Sequence, residues 1–151
     1  MTITVGFSTV TNSIAALSIS GVTVKDIDQI PTSASMLCPI LFPQPNDFIT
    51  GITPTFETYG SNGGAKINMT YTLNYVFLEC EAGSGVSAFD AYNGLITHIA
   101  AILQAVLSND AITGAVDIIP NGIPNIGVIE DPAGNQFWGA LLSFQILEYV
   151  Q

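Results

Sequence analysis

Apolar and polar residues alternate most regularly between Lys66 and Phe77. Ile67, Met69, Tyr71, Leu73, Tyr75 and Phe77 fall on one set of positions, and Lys66, Asn68, Thr70, Thr72 and Asn74 on the other. A period of two is that of a strand with one buried face. At Val76, Leu78 and Cys80 the alternation fails, which predicts a bulge or a stretch covered on both sides. Residues 49–59 read as a partner strand, and GSNGG (Gly60, Ser61, Asn62, Gly63, Gly64) supplies the glycine and asparagine positions of a turn between them.

A second pattern has the helical period. AYNGLITHIAAILQAVL, Ala91 to Leu107, carries Tyr92, Leu95, Ile96, Ile99, Ile102, Leu103 and Val106 on a wide apolar face that begins at Phe89. Its polar stripe is thin: Asn93, Thr97, Gln104 and Ser108. Ser87 and Asp90 have capping-box spacing, with the acid at the positive end of the helix dipole. A third stripe is small, with Ala91, Gly94, Ala101 and Ala105 around His98. A helix apolar nearly all round is normally buried on more than one side. Counted over these residues, the run falls short of the ~20 apolar residues of a membrane span, so no membrane association is expected.

Around these two runs, Val10, Ile14 and Leu17 form a helical stripe near the start, ended by Gly21. A polar connector, VKDIDQIPTS, leads into MLCPILFPQPNDF. Its prolines at 39, 43 and 45 predict an extended edge or wrapping segment that still buries Met36, Leu37, Ile40, Leu41 and Phe42. After the long helix, residues 115–119 read as a short strand, PNGIPN as a turn, and 125–130 with 136–149 as a hairpin about DPAGN. Trp138, Ala140, Leu142, Phe144 and Ile146 share one face of the last strand. The expected fold is α+β in one domain over residues 1–151: an antiparallel β-sheet with one long helix and a short N-terminal helix packed on one face.

Composition narrows the function. Charged residues make up 9% of the chain, against about 25% in an ordinary soluble domain. Twelve are acids, two are lysines (Lys25 and Lys66), and the net charge is −10. Binding to phosphate backbones or anionic lipid needs clustered Lys and Arg, so specific nucleic-acid binding is not expected. An acidic wall repels DNA and lets it pass without sticking; acidity also keeps an apolar chain soluble. Cys38 and Cys80 have neither metal-ligand nor redox spacing, which points to small buried hydrophobes. MTITVGFSTV has no basic region and no long apolar core, so no signal peptide is expected.

Candidate chemistry is sparse. His98 is the only histidine, so a small hydrolase, the enzymatic reading, must run through it. The acid pairs Asp26/Asp28, Glu79/Glu81 and Glu130/Asp131 lack the oxygen density of a calcium loop, and GSNGG lacks the GK[ST] of a phosphate loop. No catalytic residue, metal ligand or cofactor is assigned, and no enzyme is expected. One sheet face covers one side of the long helix, and the small stripe has no evident partner in the chain. A neighbouring subunit is the natural cover, because obligate interfaces resemble a domain core cut in half. Ala91, Gly94, His98, Ala101 and Ala105 are therefore the expected subunit interface.

Taken in order, the N-terminal helix, the proline-punctuated MLCPILFPQP, the strand pair joined by GSNGG, the helix within AFDAYNGLITHIAAILQAVLSND, the strand AVDIIP and the closing hairpin ending in LLSFQILEYV resemble the tail terminator (tail-completion) proteins of long-tailed bacteriophages. The resemblance is one of element order, without a signature motif. It implies a homo-oligomer, a hexameric ring, that caps the tail tube and joins it to the head-completion or neck protein at the head–tail junction. DNA would transit its lumen, and the protein would be part of the virion after assembly in the host cytoplasm. Gly60 to Gly64 would then be a loop contacting the tube. Other phage ring formers, head-completion proteins and tube subunits, share these properties.

Overall fold

The structure is a computed structural model that describes residues 7–34, 37–59, 64–82, 88–108 and 116–150. Its elements are helix α1 (Phe7–Ala15), strands β1 (Thr23–Val24), β2 (Ile40–Pro43), β3 (Ile49–Tyr59) and β4 (Gly64–Glu81), helix α2 (Ala88–Ser108), and strands β5 (Val116–Glu130) and β6 (Gln136–Val150). A single 3-10 turn, Ile27–Gln29, follows β1. Asp26 caps it, accepting from the Ile27 amide at 2.7 Å while Gln29 Oε1 accepts from the Asp26 amide. The chain is mixed α+β with a mostly antiparallel sheet.

The alternating run is the spine. β4 is 18 residues long, roughly 60 Å at the usual rise per residue. β6 pairs with it antiparallel from Ile67↔Val150 to Glu81↔Phe137. Its other edge is shared: β3 pairs with residues 64–73, and β2 with Tyr75 to Leu78. β2 and β3 thus lie end to end on one side of β4, with residues 44–48 looping out between them. Asn74 holds that loop. Its amide receives Gln44 N on the carbonyl and donates to Phe48 O, and its side chain donates to Asp47 O at 2.7 Å and Thr50 Oγ1. β1 adds a short parallel pairing to β2, and β5 forms the opposite edge beside β6.

Strand alternation sorts the core into two layers. Met69, Tyr71, Leu73, Tyr75 and Phe77 join Ala140, Leu142, Phe144 and Ile146 on the helix face, packed with Val10 and Ile14 of α1 and Leu95, Ile99, Ile102 and Val106 of α2. Tyr75 meets Phe144 edge to face at 5.9 Å. Fully burying one such side chain contributes about 1.5–3 kcal/mol. On the other face, Ile40, Phe42, Val76, Leu78 and Phe137 form a second cluster under Ala34, with Ile30 and Cys38 of the connector against it. Val76 and Leu78 therefore break the alternation because that end of the sheet is covered on both sides. Between Leu78 and Cys80 the register also shifts, so both causes expected at this point operate.

Gly139, opposite Leu78, explains how closely the strands approach: any Cβ there would collide with the Phe77 carbonyl oxygen. Gly21 serves a different need. Its φ of 76° makes the tight turn between Ile19 and Val22, and a Cβ would sit 3.1 Å from His98 Nε2.

Two expectations are corrected. PNGIPN is not a turn: β5 runs continuously from Val116 to Glu130, with irregular register between Pro120, Gly122 and Asn125. Prolines lack the ladder donor, which an edge strand tolerates because only one side must pair. Leu37, expected in the core, is exposed. Met36 and Ser87 lie outside the described residues.

Candidate functional site

α2 begins three residues earlier than its apolar run suggested and ends one later. Phe89–Ser108 has the length and hydropathy of a membrane span, so length does not exclude one. The helix packs on the sheet: His98 faces Phe77 and Glu79, and its first turns approach β5 and β6. Ala91, Leu95, Ile99, Ile102 and Val106 are its buried line, at spacings of four, four, three and four.

This rotation turns the small stripe, expected at a neighbouring subunit, partly toward the chain itself. Ala91 is buried; Ala101 and Ala105 pack against the helix-face core; and a Cβ on Gly94 would press on the Glu79 carboxylate. Ala91 is thus covered by the chain itself, and Gly94, His98, Ala101 and Ala105 are half-covered by it. The physical reason is size matching. The sheet beneath presents Tyr71, Tyr75, Phe77 and Phe144, and small helical residues make room for them. The side left in solvent carries Phe89 (74% exposed), Tyr92 (55%), Ile96 and Leu107.

His98 sits at the rim of the inner face. Nδ1 lies 2.6 Å from Glu79 Oε2, the ring meets Phe77 edge to face at 6.0 Å, and Nε2 faces the backbone of Gly21. The pair ties α2 to the bulge of β4. It resembles the base and orienting acid of a hydrolase, but its free nitrogen faces a glycine rather than a nucleophile. The thiols are poorly suited to that role as well. Burial first, then the neighbouring Cys80, Glu81, Glu79 and Asp131, push the Cys38 thiol up to about 12, and burial with Glu79 raises Cys80. Both stay protonated at neutral pH, whereas the thiolate is the nucleophile. Both cysteines are free thiols.

One acid of each pair is engaged structurally: Asp26, Glu79 and Asp131. Asp26 is a cap. Asp131, buried in the turn between β5 and β6, accepts from the amides of Ala34, Ala133 and Asn135 at 2.9, 3.0 and 2.8 Å. Burial alone would raise its pKa, yet these donors and the Asn135 side chain hold it below 3.8. Among the described residues no three His, Cys, Asp or Glu side chains gather into a metal site. The Gly60–Gly63 part of the expected tube-contact loop lies outside the described residues; Gly64 opens β4. Of the strand pair leading to it, β4 is flanked by β6 as far as Ile67, and β3 pairs only with β4.

One uncovered feature of the described residues is not revealed by periodicity in α2 alone. A groove of about 350 Å³ runs between the first half of α2 and the β5–β6 hairpin, lined by Ala91, Tyr92, Leu95, Ile96, Ile126, Gly127 and Trp138. Ile126 and Val128 pair with Ala140 and Trp138, so they share the helix face, yet both are exposed. The hairpin register about DPAGN carried this signal. A second hollow of about 450 Å³, on the opposite face, is lined by Phe42, Gln44, Val76, Glu130, Asp131 and Leu141 among others, and its buried acid is already committed to the turn.

No family model matches the chain, and no curated protein matches it significantly.

Proposed function

We propose that the chain is a ring-forming structural protein of a long-tailed bacteriophage, a tail terminator that caps the tail tube and joins it to the neck, with DNA passing through the lumen. The observation that carries this reading is the half-clad helix: α2 buries one line of residues in its own sheet and presents Phe89, Tyr92, Ile96 and Leu107 to solvent. Contiguous exposed apolar surface of this kind marks a contact. A net charge of −10 suits a passage for DNA, whose phosphates such a wall repels. A ring needs two different surfaces on each subunit, meeting head to tail. The element order resembles that of the tail terminator family, and the Gly60–Gly64 tip is the proposed tube contact. The chain acts without a cofactor and not as an enzyme in this reading, consistent with protonated thiols and a histidine spent on Glu79.

Native mass spectrometry with negative-stain imaging tests it. Discrete single rings that bind the end of a tail tube are the expected result. Filaments would reassign the chain as a tube subunit, and a monomer at micromolar concentration would overturn ring formation.

A further inference from the structure

The described residues expose nine large apolar side chains; Tyr92, Ile96 and Ile126 line a single groove, Phe89 precedes Tyr92 by one turn of α2, and Val128 pairs with Trp138 of the groove. Together they offer roughly 500 Å² of accessible surface, more than half of the ~800 Å² that each partner contributes to a standard interface. The same surface is nearly free of charge. From Ala91 to Ser108 the only acidic or basic side chain apart from the Tyr92 phenol is His98, which is turned to Glu79; Asp90 stands at the border beside Phe89, and no ionisable side chain lies between Ile118 and Ile129. A basic partner would be met by carboxylates; this floor has none. Two copies each carrying −10 repel almost everywhere else, so an uncharged apolar face is where they approach at least electrostatic cost.

The edge of β5 limits how a neighbour can sit. Pro120 and Pro124 lack amide donors, and the register is broken between Pro120 and Asn125. Such an edge cannot extend a regular ladder. The contact is therefore side chain against side chain, over the face rather than along the edge.

We propose that the groove between α2 and β5 is the seat of a second copy of this chain. The inference rests on the self-assembling reading above and names its contact surface. The groove contains its own reporter, because Trp138 is the only tryptophan.

The test follows tryptophan emission and sedimentation velocity of the full chain over a dilution series, for the wild type, Tyr92→Glu, Ile126→Glu and an Ile52→Glu control on β3. Far-ultraviolet circular dichroism and the urea midpoint check folding, and the two groove variants stand in for each other should one fail to fold. Expected are an emission change that tracks the mass transition in the wild type, self-association weakened by roughly tenfold or more in the groove variants, and a control that assembles normally. Groove variants that assemble like the wild type would overturn the groove and leave ring formation standing. A wild type that is monomeric at micromolar concentration would overturn both. A monomer whose emission shifts only on adding phosphatidylcholine vesicles would give the face to a membrane and overturn the second-copy assignment.

Discussion

Asp131 shows how one side chain can hold three segments. Its carboxylate takes the amides of Ala133 and Asn135 to form the turn after β5, and the Ala34 amide to anchor the connector beneath the sheet. Asp131→Asn would turn a donor toward those amides and leave a buried group unsatisfied, at a cost of about 1–3 kcal/mol. The folded pKa is depressed below 3.8. The carboxylate's contribution is therefore complete above that value and lost as pH falls through the lower folded value. Urea midpoints of wild type and variant should differ at pH 7 and converge only once the pH has fallen through the depressed folded value. A gap that persists unchanged in acid would assign the effect to something other than the charge. Nothing around Asp131 in the sequence signals the reach to Ala34, 97 positions away; only the DPAGN turn was legible.

Among the elements, β4 and α2 were legible for different reasons. A strand with one buried face has a single solution, so Met69 to Phe77 fall where alternation puts them. A helix apolar over most of its circumference has several. Its period gives the helix but not the rotation, and rotation is decided by the aromatic floor it must fit. Phe89, Tyr92 and Ile96 were thus placed inside and lie outside, while Ala91, Ala101 and Ala105 made the opposite exchange. PNGIPN misled because proline and glycine report local preference, whereas the long ladder of β6 holds an irregular edge strand in place. The rotation predicts energetics. Ile102, with no exposed surface, should lose about 2–4 kcal/mol as Ile102→Ala, while Ala100→Ser on the exposed side should stay within about 0.5 kcal/mol. Comparable losses at both positions, read from urea denaturation, would mean that the helix is turned differently.

At the scale of the whole molecule, a strong single-sign charge opposes a largely uncharged contact surface. Fourteen charged side chains, twelve of them acids, give each copy a long-range repulsion that salt screens, while apolar burial is little weakened. Raising ionic strength from ~0.01 M to ~0.1 M shortens the screening length from ~30 Å to ~10 Å. Self-association measured by sedimentation should tighten over that range. Weakening instead would identify a contact held by ion pairs, for which Lys25 and Lys66 are the only side-chain cations available besides a protonated His98.

The order of strands across the sheet carries a consequence for biosynthesis. β6 comes last in chain order yet lies between β4 and β5, and it supplies Ala140, Leu142, Phe144 and Ile146 to the principal core. A nascent polypeptide halted before Gln136 would hold two unmatched edges and an open apolar seam, with nothing local to close them. Folding must therefore wait until the β5–β6 hairpin has left the ribosome, and a product truncated before Gln136 should be found with chaperones or in inclusion bodies rather than as a smaller native unit.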